Sequence, residues 1–432
     1  MPQARKERRK VGLFLATTLV ASSMIGSGIF LLPATLAEFG SMTTLGWLIA
    51  TAGALVVARV LGELGRAAPA AGGACAYVGK ALGPVWGFHA TAAYWLALWT
   101  GNIAIAIAAI GYLAHFVPAL AGALPLALAA MALIWVLTLA NLTGARRICE
   151  LESATLFVGL IPIVFVIAAG ALRFHPALFR EGWNVSGVPA WRGLPPALVL
   201  MFWAFAGVES ASIGTGFVRD PARNVARATY YGVVAAAAVY VLSCGIIMGL
   251  IPAPTLARST APFADAARLL LSPGLAALAA GAVALLALIK LLGSLAGWIL
   301  LTTETSVATA QQGLFPRLFA RRGWSLLIAA VLMTAGVAAT VSPTLGQQFG
   351  ELIAVSVIFT LVLYVYACLA LWRTGRGRDR GFAAAGLVFC GAVMALSGAE
   401  MLLWAAIVLA CVYPLYYFSR SQARQGAGKG QN

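Results

Sequence analysis

Apolar residues run along this chain in long blocks almost free of charge. Each block holds about 20 residues or more, enough for a helix to cross the roughly 30 Å of hydrocarbon in a bilayer. Twelve such blocks are predicted as membrane helices, at 12–37, 43–65, 86–112, 123–143, 153–172, 195–218, 228–252, 275–308, 325–343, 350–372, 382–398 and 400–418. Gly and Pro recur inside them, which membrane helices tolerate where a neighbour or an internal cavity satisfies the freed backbone groups. The longest link, 173–194, is too short for a soluble domain. The first block follows basic residues as a signal peptide does. It runs well past a short apolar region, however, and lacks a convincing cleavage site, so it is expected to remain as a helix. The fold class predicted is an all-α membrane protein.

Composition agrees: 62% of the 432 residues are hydrophobic and only 10% charged, more apolar length than one soluble core can bury. The net charge of +16 invites a nucleic-acid reading, but the distribution of the basic residues answers it. With the N-terminus placed in the cytoplasm, Arg5, Lys6, Arg8, Arg9 and Lys10, then Arg146, Arg147, Arg219, Arg223, Arg227, Arg317, Arg321 and Arg322, all fall on the cytoplasmic side. Arg173, Arg180, Arg192, Arg258 and Arg268 fall outside. Such a bias is the positive-inside rule, and it predicts an inner-membrane protein with both termini cytoplasmic and no nucleic-acid partner. Cys75, Cys149, Cys244, Cys368, Cys390 and Cys411 show no metal-like spacing and read as free thiols, so no metal and no cofactor is expected.

Two blocks carry interruptions. In the first, Gly26-Ser27-Gly28 falls near the bilayer midplane, where glycines let the backbone leave helical geometry. The amides that begin the second half-helix, with its positive dipole end, suit a carboxylate, and the unwound carbonyls of the first half suit an ammonium group. Close packing of small residues is the plainer account of a G-S-G run. The second interruption lies five helices later, in M-F-W-A-F-A-G-V-E-S-A-S, where Gly207 is followed by the carboxylate of Glu209. Paired breaks in helices 1 and 6 point to a 5+5 inverted-repeat transporter.

The stretches I-G-S-G-I-F-L-L-P-A (25–34), Y-W-L-A-L-W-T-G-N-I-A (94–104), W-A-F-A-G-V-E-S-A-S (203–212), A-P-F-A-D-A-A-R (261–268), G-S-L-A-G-W (293–298) and S-V-I-F-T-L-V-L-Y (356–364) arrive in order. With K-V-G-L (10–13), they resemble the basic amino acid/polyamine antiporters of the amino acid–polyamine–organocation superfamily, the arginine/agmatine antiporters in particular. The likeness covers roughly 10–418. It implies a LeuT-like core of two inverted repeats, 12–172 and 195–372, with peripheral helices in 382–418 between the cytoplasmic tails 1–11 and 419–432. A homodimer is a further implication.

By the same resemblance the substrate carboxylate is held at Ser27 and Gly28, with Gly26 supplying the bend. The amine is held by carbonyls near Met24, Trp203 and Ala206, and Asn102 and Ser356 are polar side-chain contacts. Trp203 is the outer lid, Trp298 the surface on which the substrate side chain stacks, and Tyr94, Glu209 and Tyr364 the inner closure. An indole face attracts a guanidinium or ammonium, worth about 2 kcal/mol when desolvated; packing is the competing role for both tryptophans, as it is for Trp47, Trp135 and Trp404. Glu209 is an ionisable group deep in a membrane segment, costing about 2.5–3.5 kcal/mol, and so marks a pathway, a proton site or an ion pair. Lys290 lies in mid-segment where those antiporters carry a small residue. It is read as a tethered ammonium near helices 1 and 8 and as a coupling candidate beside Glu209, with snorkelling to the interface as the alternative. Ser23, Leu98 and Ile105 replace Asn, Cys and Met of the family pattern and are candidates for altered specificity.

These residues predict a secondary transporter that exchanges a cationic amino acid such as arginine for a related amine by alternating access in lipid. Proton-coupled transport of neutral amino acids is the rival reading, and a non-transporting membrane sensor a more distant one. The chain shows no nucleophile–base set, metal cluster or phosphate loop, so enzymatic activity is not expected.

Overall fold

The computed structural model describes residues 12–67, 73–209, 219–341 and 344–419. The basic N-terminal tail, the C-terminal tail beyond 419 and the second half of the sixth block, 210–218, lie outside the described residues.

Among the described residues all regular structure is helical. The first block forms α1 (Leu13–Met24) and α2 (Ser27–Ala37), and the second α3 (Thr43–Ala67). A short α4 (Gly73–Leu82) leads into α5 (Pro84–Ala114), then α6 (Ala123–Asn141), α7 (Ala145–Ala171), the short α8 (Pro176–Glu181) and α9 (Ala190–Trp203). The second half of the chain forms α10 (Pro221–Met248), two short helices α11 (Ala253–Leu256) and α12 (Pro262–Leu270), then α13 (Pro273–Gln311), α14 (Arg322–Ala339), α15 (Leu345–Thr374), α16 (Arg378–Leu396) and α17 (Ala399–Val412). Pro opens α5, α10, α12 and α13 at a position whose N–H has no helical partner to lose. Eleven helical stretches among the described residues are long and apolar enough to cross a membrane. The block expected at 195–218 is not among them, because its helix stops at Trp203 and the chain turns through Glu209.

One boundary departs from the sequence reading in a way that matters. The fifth crossing, expected from 153, starts eight residues earlier at Ala145. Arg146 and Glu150 form an i,i+4 pair (2.8 Å) on the exposed face, and the helix runs through both charged residues. Glu152 therefore belongs to the helix and not to a loop.

Contacts between helix ends show how the crossings alternate. On one face the Ser41 N–H donates to the Gly182 carbonyl (2.9 Å), and the His175 N–H to Gly249 (3.1 Å), gathering the ends of α2, α7, α8 and α10. On the other face Arg322, at the start of α14, pairs with Glu304 of α13 and donates to the carbonyl of Asn141 at the end of α6 (3.3 Å). Ser419 reaches Leu314 on the same side (3.1 Å). The centre is α5, buried along almost its whole length and packed by α13 and α15. The flank is α16 and α17, where Ala405 is the one buried residue described in α17. The Trp47 indole is likewise core, stacked flat on Tyr240 with centroids 5.2 Å apart. The six cysteines are free thiols.

Candidate functional site

The break between α1 and α2 falls at Ile25 (ψ 72°) and Gly26 (φ −120°, ψ −130°), with α2 beginning at Ser27. The N–H groups of Ser27 and Gly28 lie in the first turn, where a helix has no partners of its own to offer them. Gly28 sits directly under an indole: a Cβ there would be 3.3 Å from Trp203 Cδ1. The Met24 carbonyl accepts from the Gly26 N–H (2.7 Å) and from the Tyr240 hydroxyl (2.5 Å), so this expected amine acceptor is already engaged in the present conformation. The Trp203 carbonyl is engaged by the Ala206 N–H (3.0 Å).

The second break abuts the first. After α9 the chain turns through Ala204–Glu209, and Gly207 takes φ +107°, a conformation that side chains disfavour. A Cβ at Gly207 would lie 2.9 Å from the Ser23 carbonyl oxygen and 3.2 Å from the Ser23 Cβ. Only glycine lets the two unwound stretches meet this closely.

Two closures bracket the meeting point. Above it, the Trp203 and Trp298 rings tilt against each other with centroids 5.2 Å apart. Both rest on Gly101 of α5, where a Cβ would come within 2.6 Å of Trp203 and 2.9 Å of Trp298. Below it, the Tyr94 hydroxyl donates to Glu209 Oε1 (2.8 Å) and the Tyr364 hydroxyl to Oε2 (2.6 Å), while the Gly207 N–H reaches Oε2 at 3.2 Å. Glu209 is 2% exposed, so three donors compensate a carboxylate removed from water. Beneath this clamp opens a cleft of about 160 Å³ lined by Cys75, Thr91, Tyr94, Glu209 and Glu304.

Between the closures, Asn102 Nδ2 donates to Thr302 (2.9 Å), whose own hydroxyl donates to the Trp298 carbonyl (2.8 Å). Asn102 Oδ1 is buried with no partner among the described residues. Ser356 donates to the Ala97 carbonyl (2.7 Å), bridging α15 to α5 one turn above Tyr94. Leu98 and Ile105 are both buried on α5. The structure thus gathers Tyr94, Glu209 and Tyr364 into one clamp, and Gly28, Trp203 and Trp298 into one lid.

Lys290 lies apart from both groups. It is 1% exposed and does not snorkel to the surface; its stem packs on α7, where a Cβ on Gly159 would be 2.5 Å from Lys290 Cγ. The residue of α13 that lies at the Gly26 break is Ser294, one turn further on. Sequence reasoning missed Ser294, Gly101 and Glu152. The signal for Glu152 is its helical spacing to Thr155 and Gly159, which places all three on the face that meets α13.

A multi-pass helical bundle in which two interrupted helices meet between an aromatic lid and a carboxylate clamp defines the class of membrane transporters. The chain belongs to the amino acid permease family, whose family model matches residues 11–421. It is similar to the cadaverine/lysine antiporter of Escherichia coli strain K12, with 34% identity over 436 residues that cover 96% of each chain. It is also similar to the putrescine transporter PotE of the same strain (30% over 434 residues; 96% of this chain, 97% of the relative). The putrescine transporter PotE of Haemophilus influenzae matches at 30% over 368 residues, 84% of each chain.

Proposed function

We propose that the protein is a secondary-active antiporter that exchanges a cationic amino acid for a related amine by alternating access. The observation that carries this reading is the contact of two helix breaks, Gly207 against the Ser23 carbonyl, beneath the Trp203–Trp298 lid and above the Tyr94–Glu209–Tyr364 clamp. The amides of Ser27 and Gly28 receive the carboxylate, and the released carbonyls at Met24, Trp203 and Ala206 receive the amine once the closures part. The far cation stacks on Trp298, with Asn102 and Ser356 as polar contacts and Ser23, Leu98 and Ile105 shaping the wall.

In this reading the sixth crossing continues beyond Trp203 to make twelve. Residues 12–172 and 195–372 form the two inverted repeats, and α16 and α17 stand outside as a dimer surface. The basic ends face the cytoplasm by the positive-inside rule. The names of the relatives add lysine/cadaverine and putrescine to arginine/agmatine as pairs within reach. A second reading, proton-coupled transport of neutral amino acids, is favoured by a buried lysine, Lys290, on the wall of the bundle.

The test is uptake of labelled arginine, and separately of lysine, into proteoliposomes preloaded with agmatine, cadaverine, putrescine, a neutral amino acid or buffer, with and without a proton gradient. Uptake that requires an internal cationic partner is the expected result and names the pair. Absence of cationic uptake under every condition, together with gradient-driven uptake of a neutral amino acid, overturns the antiporter reading.

A further inference from the structure

The cleft beneath the clamp has a wall that the antiporter reading leaves without a role. Along α13, Leu301, Thr305, Thr309 and Gln312 line it at spacings of three and four residues, which is one face of a helix. Trp298 of the lid begins the same face. Glu304 stands at its edge, six residues and about 9 Å along the axis beyond Trp298. The cleft thus carries two carboxylates, Glu304 near its mouth and Glu209 at its roof, and no basic side chain among the described residues that line it. A cavity with that lining attracts cations and repels anions.

The two carboxylates are occupied differently. Glu209 is filled by the phenols of the clamp, whereas Glu304 holds a guanidinium, that of Arg322 at the start of α14. Arg322 reaches Glu304 from outside the cleft, donates through a second nitrogen to the Asn141 carbonyl of α6 (3.3 Å), and keeps its Nε buried with no partner among the described residues. The other described ion pairs, Glu63 with Arg59 and Arg66 and Arg146 with Glu150, each close within one helix, and Glu304–Arg322 alone joins two. The Glu304 side chain is 48% exposed and that of Arg322 31%, so water and small solutes reach the pair. An ion pair this exposed adds little to stability, and a competing cation can exchange with its arginine.

We propose that the cleft below the clamp is a second binding site for the cationic substrate, in which Glu304 receives an alkylguanidinium or alkylammonium head and Arg322 is the competing cation that the substrate displaces. The inference rests on the reading of the chain as a cation exchanger. The guanidinium already seated on Glu304 is the chain's own stand-in for the ligand, so the carboxylate has the accessibility and the geometry to take one. A cation arriving from this face meets Glu304 before it meets the clamp. Displaced, Arg322 also gives up the Asn141 carbonyl, and the tether that joins the ends of α6, α13 and α14 opens. An anion finds no basic partner on the lining and is turned away at the mouth.

The experiment uses membrane vesicles of the full chain in both orientations, preloaded with arginine or lysine, and offers labelled agmatine, cadaverine or putrescine to the clamp side in one set and to the lid side in the other. The half-saturating concentration is read on each side. Glu304→Gln removes the receiving carboxylate and should raise the clamp-side value about threefold, with the lid-side value unchanged. Arg322→Gln removes the competitor and should lower the clamp-side value by about the same factor. A pair that serves only to hold helix ends predicts the reverse of this contrast, because either substitution breaks the same contact and the two variants then move together. The double variant Glu304→Gln/Arg322→Gln should match Glu304→Gln, and it keeps the comparison open if one unpaired charge prevents folding. Variants that shift in the same direction, or a clamp-side value unmoved by loss of Glu304, overturn the second site and leave the antiporter standing. Wild-type vesicles that carry none of these cations remove both.

Discussion

Replacing Glu209 by Gln is the sharpest probe of the lower closure. The carboxylate receives two phenolic hydroxyls at 2.8 and 2.6 Å and one amide at 3.2 Å while 2% exposed. Hydrogen bonds to a charged acceptor contribute about 1.5–3 kcal/mol each and neutral ones about 0.5–1.5, so neutralising the acceptor weakens each phenol contact by about 1 kcal/mol. The two phenols together give about 2 kcal/mol against the closed clamp, a shift of about 30-fold in the closed-to-open ratio. Ser356 reports that ratio directly, since it is fully buried on α15 one turn above Tyr94 and just inside the clamp. In a background with the six native cysteines replaced, Ser356→Cys should be alkylated by a polar thiol reagent applied from the clamp side. The rate should be about 30-fold higher when Glu209→Gln is added. Tyr94→Phe/Tyr364→Phe removes both phenolic donors from the carboxylate and should raise the rate at least as much. A rate within about twofold of the parent in both variants refutes the clamp as the barrier to the site.

Other perturbations test the remaining parts. Trp298→Leu should abolish measurable binding of cationic substrates by calorimetry, and unchanged affinity removes Trp298 from the site. Gly207→Ala adds backbone strain and places a methyl 2.9 Å from the Ser23 carbonyl; at about 1–3 kcal/mol it should lower the thermal midpoint and slow exchange at least tenfold, and normal exchange breaks the link between the two helix breaks. Gly101→Ala drives a methyl between the two indoles, so substrate release toward the lid side should accelerate, and an unaltered dissociation rate argues that the indoles do not occlude.

Helix existence was readable because about twenty apolar residues in a row admit one structure in lipid. The break at Gly26 and the turn at Gly207 were readable as a pair: close packing accounts for either glycine alone, but two interruptions five helices apart point to facing breaks. Glu152 was not readable as part of the site, because a charged residue at the edge of an apolar run looks like the end of a crossing. Only the neighbouring helix shows that its carboxylate lies against Gly297. Gly101 was hidden for a different reason: its function is the absence of a side chain, and what that absence admits comes from Trp203 and Trp298, over a hundred positions away in sequence. The clamp stood between these cases. The cost of a buried carboxylate singled out Glu209, whereas its partners Tyr94 and Tyr364 came from resemblance to the family and were brought together by the fold.

The two closures differ in what a substrate does to them, and that difference is what an exchanger needs. The lid is made of two indoles on a glycine, an apolar contact that a stacked cation can replace with a cation–π contact of comparable size. The clamp is a charge-assisted network whose donors Tyr94, Tyr364 and the Gly207 N–H lie outside the lid, so a cation at Trp298 would not compete for them directly. On the proposed function, substrate lowers the cost of rearranging the lid region while the clamp keeps its own barrier. Since a ligand shifts an equilibrium only through its differential affinity, the clamp must be released through the unwound segment that carries both Gly207 and Glu209. Gly207 touches Ser23 beside the α1–α2 break, and its N–H bonds Glu209. On the proposed function, an amine that draws the carbonyls of this stretch toward itself pulls on the segment that carries Gly207 and Glu209. Empty return lacks that pull, which is the physical reason for exchange to outrun uniport in a carrier built this way.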